Sequence, residues 1–273
     1  MFNPMVLDFT KMNGAGNDFV LVDNRKRKIK LSRDQIVRLC DRHRGVGADG
    51  VILLGPSASG KADWAWEFYN SDGGTGEMCG NGARCFARFV QKVTGLRRDF
   101  TFETEAGVIT ASFKGDHVTA SLTQPRDLVL NERVKFSVGL QTIHSINTGV
   151  PHVVLFVFDA DRAMVQQLGP EIRHHPKFGP KGTNVNFVQR LGPSHIRVRT
   201  YERGVEGETL ACGTGVTASA LIAARLDGFS SPVKVHVQGG EELEVSFKEE
   251  NGQFTDVRLS GPAEFVFEGR MEI

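Results

Sequence analysis

The sequence predicts an α+β chain built of two pseudo-equivalent domains, and three observations carry that expectation. Short segments alternate in hydrophobicity with period two, as Trp64, Trp66 and Phe68 do, which marks half-buried, mostly antiparallel strands. Two longer segments, 79–93 and 212–226, have helical spacing, and each opens on Cys-Gly-x-Gly. Each is preceded by an alternating strand, ending Tyr69-Asn70 in one case and Tyr201-Glu202 in the other. Strand, glycine-rich loop and cysteine-led helix therefore occur twice.

Strands are expected at 19–23, 51–54, 64–69, 101–103, 108–113 and 118–122 in the first half. The second half repeats the pattern at 152–158, 185–188, 195–201, 233–237, 243–247 and 254–259, with a last strand near 264–267. Turn residues such as Lys114-Gly115-Asp116 and Asn251-Gly252 separate them. A helix is expected at 32–42, where Ser32 and Gln35 have the spacing of a capping box, and a short one at 161–168. In the long helices, Ala83, Phe86, Ala87 and Val90 fall at offsets 4, 7, 8 and 11 from Cys79. Val216, Ser219, Ala220 and Ala223 fall at the same offsets from Cys212. One small, largely apolar face of each helix thus suits a central, buried position. A boundary near Gln124-Pro125-Arg126 divides the chain into domains 1–124 and 125–262, the last strand, 263–273, completing the first.

The 273 residues make roughly two domain-lengths, and 40% apolar residues supply a sizeable core. Lys and Arg number 33 against 32 Asp and Glu, so no excess of one sign calls for a nucleic acid or another polyanion. The longest apolar run, 153–158, is far short of a membrane span, and residues 1–11 lack the apolar stretch of an export signal. A cytoplasmic protein with no membrane partner is expected. Its four cysteines, Cys40, Cys79, Cys85 and Cys212, are too few for a disulfide scaffold. Cys40 and Cys85 lie within helices and read as packing residues, and Arg84 and Arg88 read as a solvated or inter-subunit helix face.

Cys79 and Cys212 stand where chemistry is favoured. The first turn of a helix leaves backbone N–H groups unpaired and carries the positive end of the macrodipole, which favours a thiolate. Glycines at the next and third positions let a carboxylate approach the same N–H groups. Two such thiols, one from each half, admit three chemistries. A redox dithiol ordinarily sits in one Cys-x-x-Cys turn, whereas these two lie 133 residues apart. A metal needs further ligands at metal spacing, and the nearest candidates, His174-His175, sit in a charged, proline-flanked loop; no metal is expected. The third is acid–base work on two faces of one carbon, in which one thiolate removes a proton and the opposite thiol delivers one.

Four motifs, in order along nearly the whole chain, carry a family resemblance. They are Lys11-Met12-Asn13-Gly14-Ala15-Gly16-Asn17-Asp18-Phe19, the run from Asp41-Arg42-His43 to Asp49, Met78-Cys79-Gly80-Asn81-Gly82-Ala83-Arg84-Cys85, and Glu202-Arg203-Gly204 with Ala211-Cys212-Gly213-Thr214-Gly215. Together they closely resemble the diaminopimelate epimerase family. The resemblance implies a cofactor-independent isomerase, free of pyridoxal phosphate and metal. Such an enzyme interconverts LL- and meso-diaminopimelate in lysine and peptidoglycan-precursor biosynthesis, and is a homodimer. It implies a sheet wrapped around a central helix in each domain, with the active site between the domains. By position, Cys79 and Cys212 match the catalytic pair, His152 a histidine supporting the first thiol, and Glu202 a carboxylate supporting the second and meeting the substrate's ammonium. Asn17, Asn70, Asn184 and Arg203 match side chains that hold the amino-acid ends, with Arg203 suited to the distal carboxylate. Gly80-Asn81 and Gly213-Thr214 match the two helix-start anion sites. The chain departs from the family pattern at Val150, where many members carry a substrate-contacting Asn, at Gly50, where some carry Gln, and in the glycine-rich loop 72–77.

Two other functions fit the same architecture. Proline and hydroxyproline racemases pair two cysteines, but they usually carry His where Asn81 stands and Asp-Arg-Ser-Pro in place of Glu202-Arg203-Gly204. A non-catalytic amino-acid binding protein would be expected to have lost one of the cysteines or their Glu and His helpers, and all of these are present.

Overall fold

The computed structural model describes residues 5–76 and 78–273; the first four residues and Glu77, the end of the glycine-rich loop, lie outside them. The chain divides into two compact units, Met1–Ala120 with Gly261–Ile273, and Ser121–Ser260.

The first unit runs β1 (Val6–Gly14), β2 (Asn17–Asp23), α1 (Arg33–Cys40), β3 (Gly50–Pro56), β4 (Trp64–Asn70), α2 (Gly80–Thr94), β5 (Phe100–Thr104), β6 (Gly107–Lys114) and β7 (His117–Ser121). The second runs β8 (Arg126–Phe136), β9 (Gly139–Asn147), β10 (Pro151–Phe156), α3 (Val165–Arg173), β11 (Asn184–Gly192), β12 (His195–Glu202), β13 (Gly207–Thr209), α4 (Gly213–Asp227), β14 (Val233–Val237), β15 (Glu242–Glu250) and β16 (Gln253–Pro262). The final strand, β17 (Glu264–Glu272), pairs antiparallel with β1 and belongs to the first unit.

Strand order repeats between the units. In the first it is β17-β1-β2-β3-β4-β5-β6-β7. In the second it is β8-β9-β10-β11-β12-β14-β15-β16. Every pairing is antiparallel except β2/β3 and β4/β5 in the first unit and β10/β11 and β12/β14 in the second. Those four parallel steps are bridged by α1, α2, α3 and α4 in turn, since a parallel connection needs a crossover that a tight turn cannot make.

Alternation sends each strand's two faces to different helices. In β2 and β3, Phe19, Leu21, Ile52 and Leu54 join one core around α2, and Val20, Val22, Val51 and Leu53 join another against α1. The α2 core draws residues from all seven strands β1 to β7, so the sheet curls around that helix. Phe86 is central to it, with Phe102 at 4.8 Å and Trp66 at 5.9 Å between ring centroids. In the second unit α4 is buried from Gly213 to Ala224 and packs on β9, β10, β11, β12, β14 and β15. The outer face of β10 and β11, with Val153, Leu155, Val185 and Phe187, meets α3.

Both central helices have fifteen residues, carry a cysteine at the N-cap position and end on a left-handed glycine, Gly95 (φ 73°) and Gly228 (φ 69°). Each of those glycines stands sixteen residues beyond its cysteine, so the internal repeat runs through the whole helix.

Three sequence expectations need correction. The strands β1, β8, β9 and β13 lie outside the expected segments; β8 is an exposed ladder carrying Arg126, Asp127, Glu132, Arg133 and Lys135, broken by two register shifts. The helix expected at 161–168 forms instead at Val165–Arg173, with Pro170 inside it. Arg84 is not on a solvated face; it is fully buried. Arg88 does lie near the surface, paired with Asp116 and stacked over Phe265. Among the described residues no helix is long and apolar enough to cross a membrane, and no group of His, Cys, Asp and Glu could hold a metal ion.

Candidate active site

In the first unit, a two-residue turn with positive φ at Ala15 (58°) and Gly16 (92°) joins β1 to β2 and delivers Asn17 as the first residue of β2. Asn17 Nδ2 donates to Asp49 Oδ2 at 2.9 Å, and Asn17 Oδ1 accepts from Asn81 Nδ2. Asn81 Oδ1 in turn accepts from Arg84 Nη2 at 3.0 Å, and Arg84 also donates to Gly80 O and Pro262 O. A buried cation at one end and Asp49 at the other therefore fix which way both amides point. Cys79 Sγ accepts from Gly82 N at 3.4 Å, as an N-cap side chain does, so the sulfur lies at the N–H end of α2. Asn17, Cys79, Gly80 and Asn81 are thus gathered at one helix start, whereas Asn70 lies exposed at the end of β4 with its backbone holding the turn to Gly74.

Behind Asn17 stands an ionic cluster that the sequence marked only through the resemblance. Lys11 Nζ meets Asp18 Oδ2 at 2.8 Å and also donates to Gly47 O. Arg42 grips Asp18 through both guanidinium nitrogens at 2.9 Å and reaches Asp49 Oδ1 at 2.8 Å. Burial alone would raise the Asp18 carboxyl; the hydrogen bonds and charges of Arg42 and Lys11 outweigh it and hold the group at about 2. A carboxylate whose folded value lies below its ordinary 3.8 contributes stability that is complete above that value and lost as pH falls through about 2. Asp18→Asn is accordingly expected to cost about 1.5–3 kcal/mol at neutral pH, from lost charged hydrogen bonds. It is also expected to flatten the decline in stability between pH 4 and 2, as measured by urea unfolding; an unchanged decline would reject the assignment.

In the second unit, His152 is completely buried on the inner face of β10, with Nε2 2.9 Å from Thr214 Oγ1 in the first turn of α4. Thr214 Oγ1 lies 3.5 Å from Cys212 Sγ, within reach of a sulfur hydrogen bond. Burial, and secondarily the charge of Arg203, push the imidazole down to about 3, so it is neutral through the physiological range. Asn184 Nδ2 donates to Pro151 O and its Oδ1 accepts from the Arg203 N–H at 2.8 Å, which ties β10, β11 and the end of β12 together. Glu202 Oε2 accepts from Thr209 Oγ1 at 2.8 Å. The loop beyond it is anchored by Glu206, which takes Arg173 and the Gly204 N–H.

Cys40 and Cys85 are buried in the two cores of the first unit, and burial pushes both thiols up to about 12, so neither ionises near neutrality. Gly50 has no room for a side chain, because a Cβ there would sit 2.6 Å from Tyr69 O and 2.8 Å from the Phe68 ring. Sequence reasoning passed over Asn186, fully buried on β11, and Thr148, whose hydroxyl donates to Thr214 O. The signal for Asn186 was present: Asn184 and Asn186 sit two apart, alternating with Val185 and Phe187 at the start of the strand, so both point to one face.

Comparison with known proteins follows the same lines. Residues 9–126 and 144–266 match the sequence profile of the family described as diaminopimelate epimerase. A diaminopimelate epimerase of Aquifex aeolicus is 44% identical over 280 residues, covering 97% of this chain and 98% of the relative. One from Flavobacterium psychrophilum is 41% identical, covering 94% and 97%. Among solved structures, a phenazine biosynthesis protein of the PhzF family from Bacillus anthracis superposes with a TM-score of 0.77 at 16% identity, covering 98% of this chain and 100% of that one. A hydroxyproline epimerase from Agrobacterium vitis, with trans-4-hydroxy-L-proline bound, superposes with a TM-score of 0.73 at 16% identity, covering 98% and 93%. Those two likenesses concern the fold.

Proposed function

Because this chain belongs to the diaminopimelate epimerase family, an isomerase family, we propose that it interconverts LL- and meso-diaminopimelate with two thiols and no cofactor. One observation carries the mechanism: two helices of equal length, in units of the same strand order, each have a cysteine at the N-cap position. A thiolate at one helix start removes the α-proton, and the thiol at the other delivers a proton to the opposite face, so the centre inverts. The roles exchange in the reverse direction. The reaction requires Cys79 and Cys212 to reach opposite faces of a single α-carbon.

The reacting α-carboxylate takes the N–H groups of Gly80-Asn81 and Gly213-Thr214. Charge that develops as the α-proton leaves spreads into that carboxylate, where the fixed donors stabilise it. Asn17, Asn70 and Asn184 hold the amino-acid ends, and Glu202 meets an ammonium group and supports the second thiol. Arg203 suits the distal carboxylate: its backbone is fixed by Asn184, and among the described residues its guanidinium makes no hydrogen bond or ion pair. His152 supports a thiol, as the resemblance implies.

The test is conversion of LL- and meso-diaminopimelate, L-proline and trans-4-hydroxy-L-proline by purified protein without added pyridoxal phosphate or metal. Epimerisation of diaminopimelate alone is expected; turnover of a proline alone would overturn the substrate assignment. A homodimer, on the strength of the resemblance, and a cytoplasmic location belong to the same reading. Sedimentation equilibrium tests the first, and a monomer would contradict it.

A further inference from the structure

The two units solve the same packing problem differently beneath their central helices. The third residue after each cysteine is a glycine, Gly82 in α2 and Gly215 in α4. A Cβ on Gly82 would meet the apolar carbons Ile52 Cδ1 at 3.2 Å and Phe19 Cε1 at 3.5 Å. A Cβ on Gly215 would meet Asn186 Oδ1 at 2.3 Å and His152 Cε1 at 3.3 Å. Strand register makes the replacement position for position: Phe19 lies opposite Gly50 and Leu21 opposite Ile52, as His152 lies opposite Asn184 and Val154 opposite Asn186. A His–Asn pair therefore occupies, in the second unit, the place of a Phe–Ile pair in the first. Burying two polar side chains is costly unless their hydrogen bonds are met, and the first unit shows that the architecture does not need them there.

Their hydrogen bonds run in one direction. Asn186 Nδ2 donates to Val153 O at 2.9 Å; a carbonyl oxygen can only accept, so this bond fixes the amide's orientation. The same nitrogen is 3.2 Å from His152 Nδ1 and donates to it, while Asn186 Oδ1 accepts from Thr200 Oγ1 at 3.0 Å. With Nδ1 an acceptor, the neutral ring carries its hydrogen on Nε2, which donates to Thr214 Oγ1. The Thr214 hydroxyl hydrogen is thereby left to point toward Cys212 Sγ.

We propose that Asn186 is a positioning residue that locks the tautomer of His152, and that His152 and Thr214 together aim a hydroxyl donor at the Cys212 sulfur, favouring its thiolate. Within its own unit His152 thus serves the second thiol. Glu202 and Arg203 lie at the end of β12 and just beyond it, and Glu206 in the following loop is paired with Arg173 and faces His174. The imidazole itself does not titrate where a thiol does. The proposal rests on Cys212 being an acid–base group, but its test uses no substrate, so failure to epimerise diaminopimelate leaves the two outcomes separate.

The measurement is the pH dependence of Cys212 alkylation by iodoacetamide in the full-length Cys79→Ser protein, followed by mass spectrometry. Cys40 and Cys85 stay unreactive while the fold is intact, so alkylation there reports opening. Thr214→Val keeps the side chain's shape and removes the hydroxyl, and is expected to raise the Cys212 midpoint by about one pH unit, the worth of a hydrogen bond to a charged group. Thr214→Ser is expected to restore the original midpoint, and Asn186→Leu to raise it by less than Thr214→Val. Nitrogen-15 spectra of His152 are expected to show the hydrogen on Nε2 in the unsubstituted protein. An unmoved midpoint in Thr214→Val, an equal shift in Thr214→Ser, or a hydrogen on Nδ1 would each overturn the proposal; the Thr214 pair and the spectra decide it even where Asn186→Leu opens the fold.

Discussion

Alanine at Cys79 or at Cys212 is expected to abolish epimerisation in both directions, because each thiol is the base for one epimer and the acid for the other. A positioned acid or base contributes about 10²–10⁴-fold, so each single variant falls at least that far in kcat/KM. The loss is not additive: with one thiol gone the proton relay is already broken, and the double variant is expected to be little worse than either single one. The two variants differ in what they retain. Each keeps one thiolate on one face, so over long incubation each is expected to exchange the α-hydrogen of only one epimer with solvent, and the two variants to favour opposite epimers. That exchange is far slower than normal turnover, because the captured hydrogen mostly returns before the thiol exchanges it. Deuterium incorporation read by mass spectrometry separates these outcomes. Near-normal epimerisation in either variant would remove that cysteine from the mechanism.

The second large effect is an asymmetry between two glycines at the same place in the repeat. Gly215→Ala is expected to destabilise the protein by about 1–3 kcal/mol, the usual cost of forcing extra carbon into a packed site. Its Cβ would lie 2.3 Å from Asn186 Oδ1, and Asn186 cannot give way without losing bonds to Val153, His152 and Thr200. The tightest contact of Gly82→Ala is the flexible end of Ile52 at 3.2 Å, with carbons of Cys79 and Phe19 at an ordinary 3.5 Å, and alanine's better helix propensity offsets a small shift. Urea unfolding of the two variants is expected to differ by at least about 1 kcal/mol. Gly215→Ala is also expected to lose activity, while Gly82→Ala keeps its stability; equal stability of the two would contradict the packing described beneath α4.

The two central helices were legible in the sequence because their signals are local: a cysteine, two glycines and a small apolar face recur at fixed offsets. Their shared C-terminal glycines, Gly95 and Gly228, carry the same information. The strands β8 and β9 were hidden because hydrophobic alternation appears only where one face is buried, and most of β8 is exposed or half-exposed on both faces. Residues Val6–Gly14 escaped notice for the opposite reason: Thr10 and Lys11 are buried in the strand, against the expectation that polar residues mark its exposed face. Pro170 reads as the end of a helix, yet α3 carries it in its interior. At the site, motif spacing found the cysteines and the resemblance pointed to Thr214, but the bonds of Asn186, Asp49 and Arg84 depend on strand register and on which face of a helix is covered. The sequence states neither directly, which is why Arg84 reads as a solvated or inter-subunit residue although it is buried.

The central claim is that two thiols, one from each unit, act on opposite faces of one carbon. A thiol holds a single proton, so the base that removes the substrate's hydrogen returns that same hydrogen if the reaction reverses, while the opposite thiol, equilibrated with solvent, delivers deuterium. The direct measurement is LL-diaminopimelate converted in deuterium oxide and stopped early, with deuterium assayed separately in the meso product and in the recovered LL substrate. The account predicts deuterium in the product and none in the substrate. Equal labelling of both from the first moments would mean a single base serving both faces, and would contradict it.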